Sequence, residues 1–175
     1  LTIAVRAAAP ADRAAIAAIN TEAFGQPDEA ALVEALRADG DVAFELAAER
    51  DGAVVGHILF SPLALRPEPE NAPRLLSLAP VAVRPDCQRQ GVGGALVRAG
   101  LGRARTEGWD AVIVLGHPDY YPPFGFSHAA AAGLDHPFPE AGPAFMALEL
   151  SDGALARAAG RLVFAPAFGI AGDAS

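Results

Sequence analysis

Apolar positions along this chain change period several times, and each change marks an element. Thr2 to Ala7 reads as a short opening strand. Pro10 and Asp12 suit a helix start, and Ile16, Ile19 and Ala23 then recur at helical spacing. A second helix is predicted from about Pro27: Asp28 and Glu29 fall in its first turn, where the helix dipole favours anions, Leu32, Val33 and Leu36 form its apolar face, and Gly40 stops it. The period then shortens. Val42 to Glu49 and Val54 to Ser61 are apolar runs on either side of Asp51-Gly52, the signal of a tight hairpin. Arg66 to Pro73 holds three prolines among charges and reads as a loop. Leu75 to Val83 is the next strand; its Pro80 has no N–H for a ladder, so a bulge or an unpaired edge is expected there. Helix follows from about Gly91 to Glu107, with Val92, Leu96 and Ala99 inward and Gly108 as its stop. Ala111 to Leu115 is a continuous apolar run, as in a strand covered on both faces. Residues 75–115 are therefore strand, helix, strand, a unit that normally makes two parallel strands with a right-handed crossover. After a turn-rich stretch come a strand near Ala144 to Leu150 and an added edge strand at Leu162-Val163-Phe164.

Composition narrows the class. The 175 residues fit one domain, and 52% hydrophobic content can fill its core. The net charge of -8, without any basic stretch, argues against a nucleic-acid partner and mildly favours a cationic or amine substrate. A single cysteine, Cys87, rules out a disulfide within the chain and argues against a cysteine zinc site. His117, His128 and His136 have no metal-ligand spacing with carboxylates, so no metal is expected. No window approaches the roughly 20 apolar residues of a spanning helix, so no membrane partner is expected. The first residues lack the basic-then-apolar pattern of a secretion signal, and a cytoplasmic protein is expected.

The most informative segment runs from Val81 to Leu96: Val81-Ala82-Val83-Arg84-Pro85-Asp86-Cys87-Gln88-Arg89-Gln90-Gly91-Val92-Gly93-Gly94-Ala95-Leu96. A strand ends, a loop turns, and a helix starts on glycines. Free N–H groups and the dipole of a helix N-terminus attract anions, and glycine lets a bound group approach the backbone closely. The arrangement suits a pyrophosphate, with Gln88 and Arg89 as added side-chain donors. No lysine follows these glycines, as a P-loop needs, and Leu96 stands where a dinucleotide turn needs its third glycine.

The spacing Gln88-x-x-Gly91-x-Gly93, preceded by Val83-Arg84-Pro85, resembles the cofactor motif of the GNAT N-acetyltransferase superfamily. The order of elements is also similar, over roughly residues 3–150, with residues 151–175 as a C-terminal extension of a single domain. The resemblance implies an α/β (α+β) fold with a mixed, mostly antiparallel sheet of about six or seven strands. It implies acetyl-coenzyme A as acetyl donor, its pyrophosphate against the backbone of Gln88, Arg89, Gln90, Gly91, Val92, Gly93 and Gly94. Its pantetheine arm would lie beside Val81, Ala82 and Val83, with backbone near Val81 polarising the thioester carbonyl. Family members often dimerise, so a homodimer is open.

A second constellation follows the strand ending at Leu115: Gly116-His117-Pro118-Asp119-Tyr120-Tyr121-Pro122-Pro123-Phe124-Gly125-Phe126. GNAT enzymes commonly carry a tyrosine, three residues, then Gly-Phe, and Tyr121 stands in that register. The resemblance makes Tyr121 the acid that protonates the departing thiolate, with Tyr120 as runner-up. A phenol of pKa near 10 matches a thiolate of roughly 8.5 to 10. Asp119 either orients Tyr121 or caps a turn. Many relatives also carry a Glu on the strand before the glycine turn; Leu75 to Val81 holds none. Glu45, Glu49 and His57 are strand residues able to relay a proton instead. Alternation places His57 on the face opposite Ile58 and Phe60, and a lone His in an apolar strand is more often structural. Cys87 reads as incidental. The expected activity is acetyl transfer to an amine of a small molecule or protein by direct attack. The alternative is a non-catalytic acyl-coenzyme A-binding module with the same fold.

Overall fold

A hairpin around Asp51-Gly52 anchors the sheet, as the apolar pattern predicts. The structure, a computed structural model, describes residues 2–170. The elements are β1 (Ala4–Ala7), α1 (Arg13–Phe24), α2 (Asp28–Asp39), β2 (Phe44–Arg50), β3 (Ala53–Arg66), β4 (Leu75–Val83), α3 (Val92–Thr106), β5 (Ala111–Leu115), β6 (Phe145–Glu149) and β7 (Arg161–Val163). Their hydrogen-bonded order is β1-β2-β3-β4-β5-β6, with β7 added to β3. β1 with β2, β2 with β3, β3 with β7 and β5 with β6 pair antiparallel, and β4 with β5 pairs in parallel, so the sheet is mixed and mostly antiparallel. The described residues divide into two compact units, 2–61 with 79–103, and 62–78 with 104–170.

In the first unit, β2 and β3 pair from Phe44↔Phe60 to Arg50↔Ala53, and β1 lies along β2. Alternation turns Gly56, Ile58 and Phe60 to one face and His57, Leu59 and Ser61 to the other, all buried. Helix α3 covers the first face. Val92 and Leu96 come so close to Gly56 that a Cβ there would sit 2.9 Å from each, and one at Gly100 would sit 2.6 Å from Phe60 Cζ. Phe60 stacks on Phe44 at 4.6 Å, and the Arg103 guanidinium lies 4.7 Å over the Phe44 ring. Helices α1 and α2 reach the opposite face through Asn20 to His57 and Arg37 to Glu45. The two helices present Ile16, Ile19, Val33 and Leu36 as their buried positions.

In the second unit, β4 and β5 pair in parallel over Leu75↔Ala111 to Ser77↔Ile113, and β5 pairs with β6. Leu65, Leu75, Ile113, Phe145, Leu162 and Phe164 lie in its core. One expectation needs correction here. Strand β3 was expected to end at Ser61 but runs to Arg66, because Ala64–Arg66 pairs with Val163–Arg161 of β7. That pairing joins segments about a hundred residues apart and leaves no local trace. The β4–β5 ladder stops at Ser77, whereas β4 continues to Val83 through a cis Ala79–Pro80 bond. Pro80, which has no N–H to give a ladder, lies on the part of β4 beyond that pairing.

The packing of α3 predicts opposite outcomes at two of its glycines. Alanine normally stabilises a helix interior by about 1 kcal/mol over glycine. Gly102→Ala, where a Cβ meets nothing within 4 Å, should gain about that much. Gly100→Ala should instead lose about 1–3 kcal/mol by overpacking against Phe60. Urea denaturation of both variants checks this, and a gain at Gly100 would contradict the close packing.

Candidate active site

The glycine turn is held from both ends. At the end of β4, Arg84 N–H donates to Val55 O at 2.8 Å. A single 3-10 turn, Pro85–Cys87, follows, closed by Cys87 N–H to Arg84 O at 2.8 Å. Gln88 Nε2 then donates back to Val83 O at 3.0 Å, and Gln90 Nε2 to Asp86 O at 3.2 Å. The Arg50 guanidinium donates to Gln90 Oε1. So Gln88 and Gln90 spend amide donors on the loop itself, and the charged side chain left facing outward is the exposed Arg89. Arg84 pairs with Asp86 at 2.6 Å, which holds the Asp86 carboxyl below the ordinary carboxylate range. Cys87 is buried, with Arg84 Nη2 at 3.5 Å from its Sγ.

Two residues of the turn take left-handed backbone: Arg89 with φ 61° and Gly91 with φ 88°. A Cβ on Gly91 would meet nothing within 4 Å, so that glycine answers to backbone conformation and not to crowding by protein. Arg89 has no such freedom, and non-glycine residues in this region gather at ligand sites. Among the described residues, the first backbone N–H at the start of α3 to find a carbonyl is that of Ala95, to Gly91 O at 3.0 Å. The N–H groups of the preceding turn are the orphan donors of a helix N-terminus, suited to an anion. Gly93 and Gly94 lie in that turn, half-buried, whereas Val92 and Ala82 are buried and offer a ligand only their backbone. Val81 and Val83, half-buried, lie on the part of β4 beyond its ladder to β5.

In the second unit, the chain leaves β5 at the exposed Leu115, and Gly116 N–H donates to Ala144 O at 2.9 Å. A turn follows, with Tyr120 N–H to His117 O at 3.1 Å. Asp119 N–H donates to His117 Nδ1 at 3.2 Å within this turn, and no bond joins Asp119 to Tyr121 among the described residues. Tyr121 precedes the 3-10 turn Pro122–Phe124. Its ring meets the edges of Tyr120 at 5.0 Å and Phe126 at 5.7 Å. Only 7% of Tyr121 is exposed, against 40% of Tyr120. Burial, with Tyr120 beside it, pushes the Tyr121 phenol up to about 12. The simple match between a phenol near 10 and a leaving thiolate is thereby corrected: this tyrosine holds its proton more tightly.

The strand residues weighed as a proton relay are committed elsewhere. Glu45 accepts from Arg37 through Nε at 2.8 Å and Nη2 at 2.7 Å, and from His57 Nε2 at 2.8 Å. Asn20 Nδ2 donates to Ile16 O at 3.0 Å and faces His57 Nδ1 at 3.2 Å. The amide orientation is set by the Ile16 carbonyl, so His57 Nδ1 must accept and Nε2 must carry the proton. His57 is fully buried with both nitrogens engaged, on the face opposite Ile58 and Phe60 as expected. Burial raises Glu45, but the hydrogen bonds from His57 and Arg37 outweigh it and hold the carboxyl at about 2. Glu49 instead accepts from Arg6 Nε at 2.8 Å. His57 and Glu45 are thus core residues. Sequence periodicity found the face of His57 but not its partners, which come from helix α1 and strand β2.

Among the described residues no group of three His, Cys, Asp or Glu side chains could hold a metal ion, and no helix is long and apolar enough to cross a membrane. The model of the Acetyltransferase (GNAT) family matches residues 13–121. The uncharacterized N-acetyltransferase YjhQ of Escherichia coli (strain K12) is 41% identical over 131 residues, covering 73% of this chain and 72% of that protein. The 1.55 Å crystal structure of the GNAT family N-acetyltransferase YhbS from Escherichia coli, in complex with CoA, superposes with a TM-score of 0.89 at 34% identity, over 98% of this chain and 94% of that one. A GNAT family acetyltransferase from Brucella melitensis, in complex with acetyl-CoA, gives 0.77 at 30% identity, over 95% and 98%.

The Glu45 arrangement sets an acid limit on stability. Its folded value of about 2 lies below the ordinary glutamate value, so its contribution is full above that ordinary value and is lost as pH falls through about 2. The contribution is on the order of 3 kcal/mol. Glu45→Gln should therefore lower stability at neutral pH and flatten its fall between about pH 5 and pH 2. Unfolding curves recorded across that range check this; parallel curves for the two proteins would show that Glu45 carries no such linkage.

Proposed function

The chain belongs to the GNAT family of acetyltransferases, and from that premise we propose that it transfers an acetyl group from acetyl-coenzyme A to an amine by direct attack. The observation that carries this reading is the turn from Gln88 to Gly94. Left-handed backbone at Arg89 and Gly91 delivers the chain into the first turn of α3, where the N–H groups of a helix N-terminus and the helix dipole suit a pyrophosphate. Coenzyme A in the YhbS structure and acetyl-coenzyme A in the Brucella melitensis one support the same ligand here. Val81, Ala82 and Val83 would present their backbone to the pantetheine arm, on the edge of β4 beyond its three-pair ladder to β5. Backbone N–H near Val81 would face the thioester oxygen where charge develops. The bound thioester supplies the activated acetyl group.

Tyr121 is the proposed proton donor. Its Oη gives a proton to the departing sulfur, and burial keeps the phenol protonated over the whole working range. Leu75–Val83 holds no carboxylate, and Glu45 and His57 are locked in the core, so the amine loses its proton to water. One acetyltransferase domain over the whole chain, with a C-terminal extension from residue 151, is the organisation this reading implies. The cytoplasm is its compartment, consistent with the lone cysteine. The acceptor is a primary amine of a small molecule or protein.

Release of free thiol from acetyl-coenzyme A, followed across a panel of amines, tests the reading. Acceptor-dependent release is expected; tight coenzyme A binding with none would identify a binding module instead. Tyr121→Phe should lower kcat by about 10² or more, with KM for acetyl-coenzyme A within about twofold. Turnover should rise with pH as the amine deprotonates. No falling limb from Tyr121 should appear below about pH 11, because its phenol stays protonated until about 12. Unchanged turnover in the Phe variant, under conditions where chemistry limits the rate, would remove Tyr121 from the mechanism.

A further inference from the structure

We propose that Gly116 is a positioning residue for acetyl transfer: by carrying no side chain, it lets the Tyr121 ring stand against the end of β5 and so places the phenolic oxygen. The inference rests on the proton-donor role of Tyr121 proposed above and extends it to a residue that touches no substrate.

Among the described residues ten glycines take positive φ, Gly125 among them at 105°, and Gly116 is not one of them. Its backbone conformation is open to any L-residue, so conformation does not explain a glycine there. Space does. A Cβ built on Gly116 would overlap Cε2 of the Tyr121 ring and lie 3.1 Å from Cδ2 and 3.3 Å from Cζ. These are atoms of a rigid ring, not the far end of a flexible chain.

Neither partner can give way cheaply. Gly116 N–H is bonded to Ala144 O at 2.9 Å, one residue past the β5–β6 register pair Leu115↔Phe145, so its backbone is tied to the sheet. Tyr120 and Phe126 pack edge-on against the ring from elsewhere, and Phe126 is itself 1% exposed. A methyl group at 116 must therefore push the ring. Proton transfer is sensitive to such a shift: misplacement by about 1 Å can cost about 10²-fold in rate. Glycine at 116 thus answers to the position of Tyr121, in the way that glycine at 100 answers to the position of Phe60.

The test is a double-mutant cycle of Gly116→Ala and Tyr121→Phe, read as kcat and KM in the thiol-release assay. Gly116→Ala should lower kcat by about tenfold or more in the wild-type background, with KM for acetyl-coenzyme A within about twofold. In the Tyr121→Phe background the same methyl meets the same ring, but no phenol remains to misplace, so kcat should change by less than about twofold. The pH profile is a second readout. A displaced, better solvated ring should bring its falling alkaline limb down from near 12 towards the ordinary tyrosine value of about 10. Equal losses in both backgrounds, including loss through misfolding, would make Gly116 merely structural and overturn the inference. A full effect of Tyr121→Phe beside a silent Gly116→Ala would overturn it while leaving the acid role standing. A silent Tyr121→Phe would remove the acid role, and the inference with it.

Discussion

The close approach of α3 to β3 is the constraint on which the candidate cofactor turn depends. Two glycines make it possible from opposite sides: Gly56 on the strand receives Val92 and Leu96, and Gly100 on the helix receives Phe60. Each omits a Cβ where one would lie under 3 Å from its neighbour. A helix seated this closely cannot slide, because any shift drives Leu96 or Phe60 into backbone. Its first turn is fixed with it. The connection from β4 is short and tied by Arg84 to Val55, Cys87 to Arg84 and Gln88 to Val83. The orphan N–H groups of that turn are therefore aimed by packing well away from them. The preorganisation that an anion site needs comes from apolar contacts, not from the polar residues of the motif.

The other face of the same strands solves a different problem. Glu45, Arg37, His57 and Asn20 are buried or nearly so, and burial of ionised groups is unfavourable unless each finds partners. Here Glu45 takes three hydrogen bonds, and His57 has a partner at each nitrogen. A residual cost remains at Asn20 Oδ1, which has no partner among the described residues. A set of this kind adds little over an apolar core, yet losing one member leaves a buried charge exposed to low dielectric. Its effect is to choose one seating for each helix: α1 must present Asn20 to His57, and α2 must present Arg37 to Glu45. The two faces of the hairpin thus hold their helices by unlike means, shape on one side and paired polarity on the other.

Legibility in the sequence followed the range of each interaction. The β2–β3 hairpin, the bounds of β4 and β5 and the glycine stops at 40 and 108 were readable because turn chemistry and periodicity act over a few residues. The turn proposed for the cofactor was readable as a strand–turn–helix for the same reason, since its glycines, Val83-Arg84-Pro85 and the following helix are contiguous. The extension of β3 to Arg66 was not, because its cause is a strand about a hundred residues away. The partners of His57 were hidden likewise: alternation gave its face, but Asn20 and Glu45 reach it from separate elements. Gly116 is the sharpest case. In sequence it is one more loop glycine, and its meaning appears only when a side chain five residues on is seen to occupy the space of its missing Cβ.

The raised phenol of Tyr121 alters how an acid in that place has to work. Between a phenol at about 12 and a thiol of roughly 8.5 to 10, proton transfer in water would run uphill by about 3–5 kcal/mol. A free-standing transfer of that cost would waste much of the benefit of general acid catalysis. Burial acts on both partners, however. The desolvation that penalises a phenolate penalises a thiolate formed in equally dry surroundings, and the gap narrows as the sulfur gains charge. As the proposed acid, the tyrosine would then hold its proton while the sulfur is still bound to carbon and release it only as the bond breaks. This ordering favours the transition state over the ground state, which is the only kind of interaction that raises kcat. It also makes position matter more than acidity. A proton that moves late and over a short path requires the phenolic oxygen to stand in one place, and the packing of Gly116, Tyr120 and Phe126 around the ring is of the kind that holds it there.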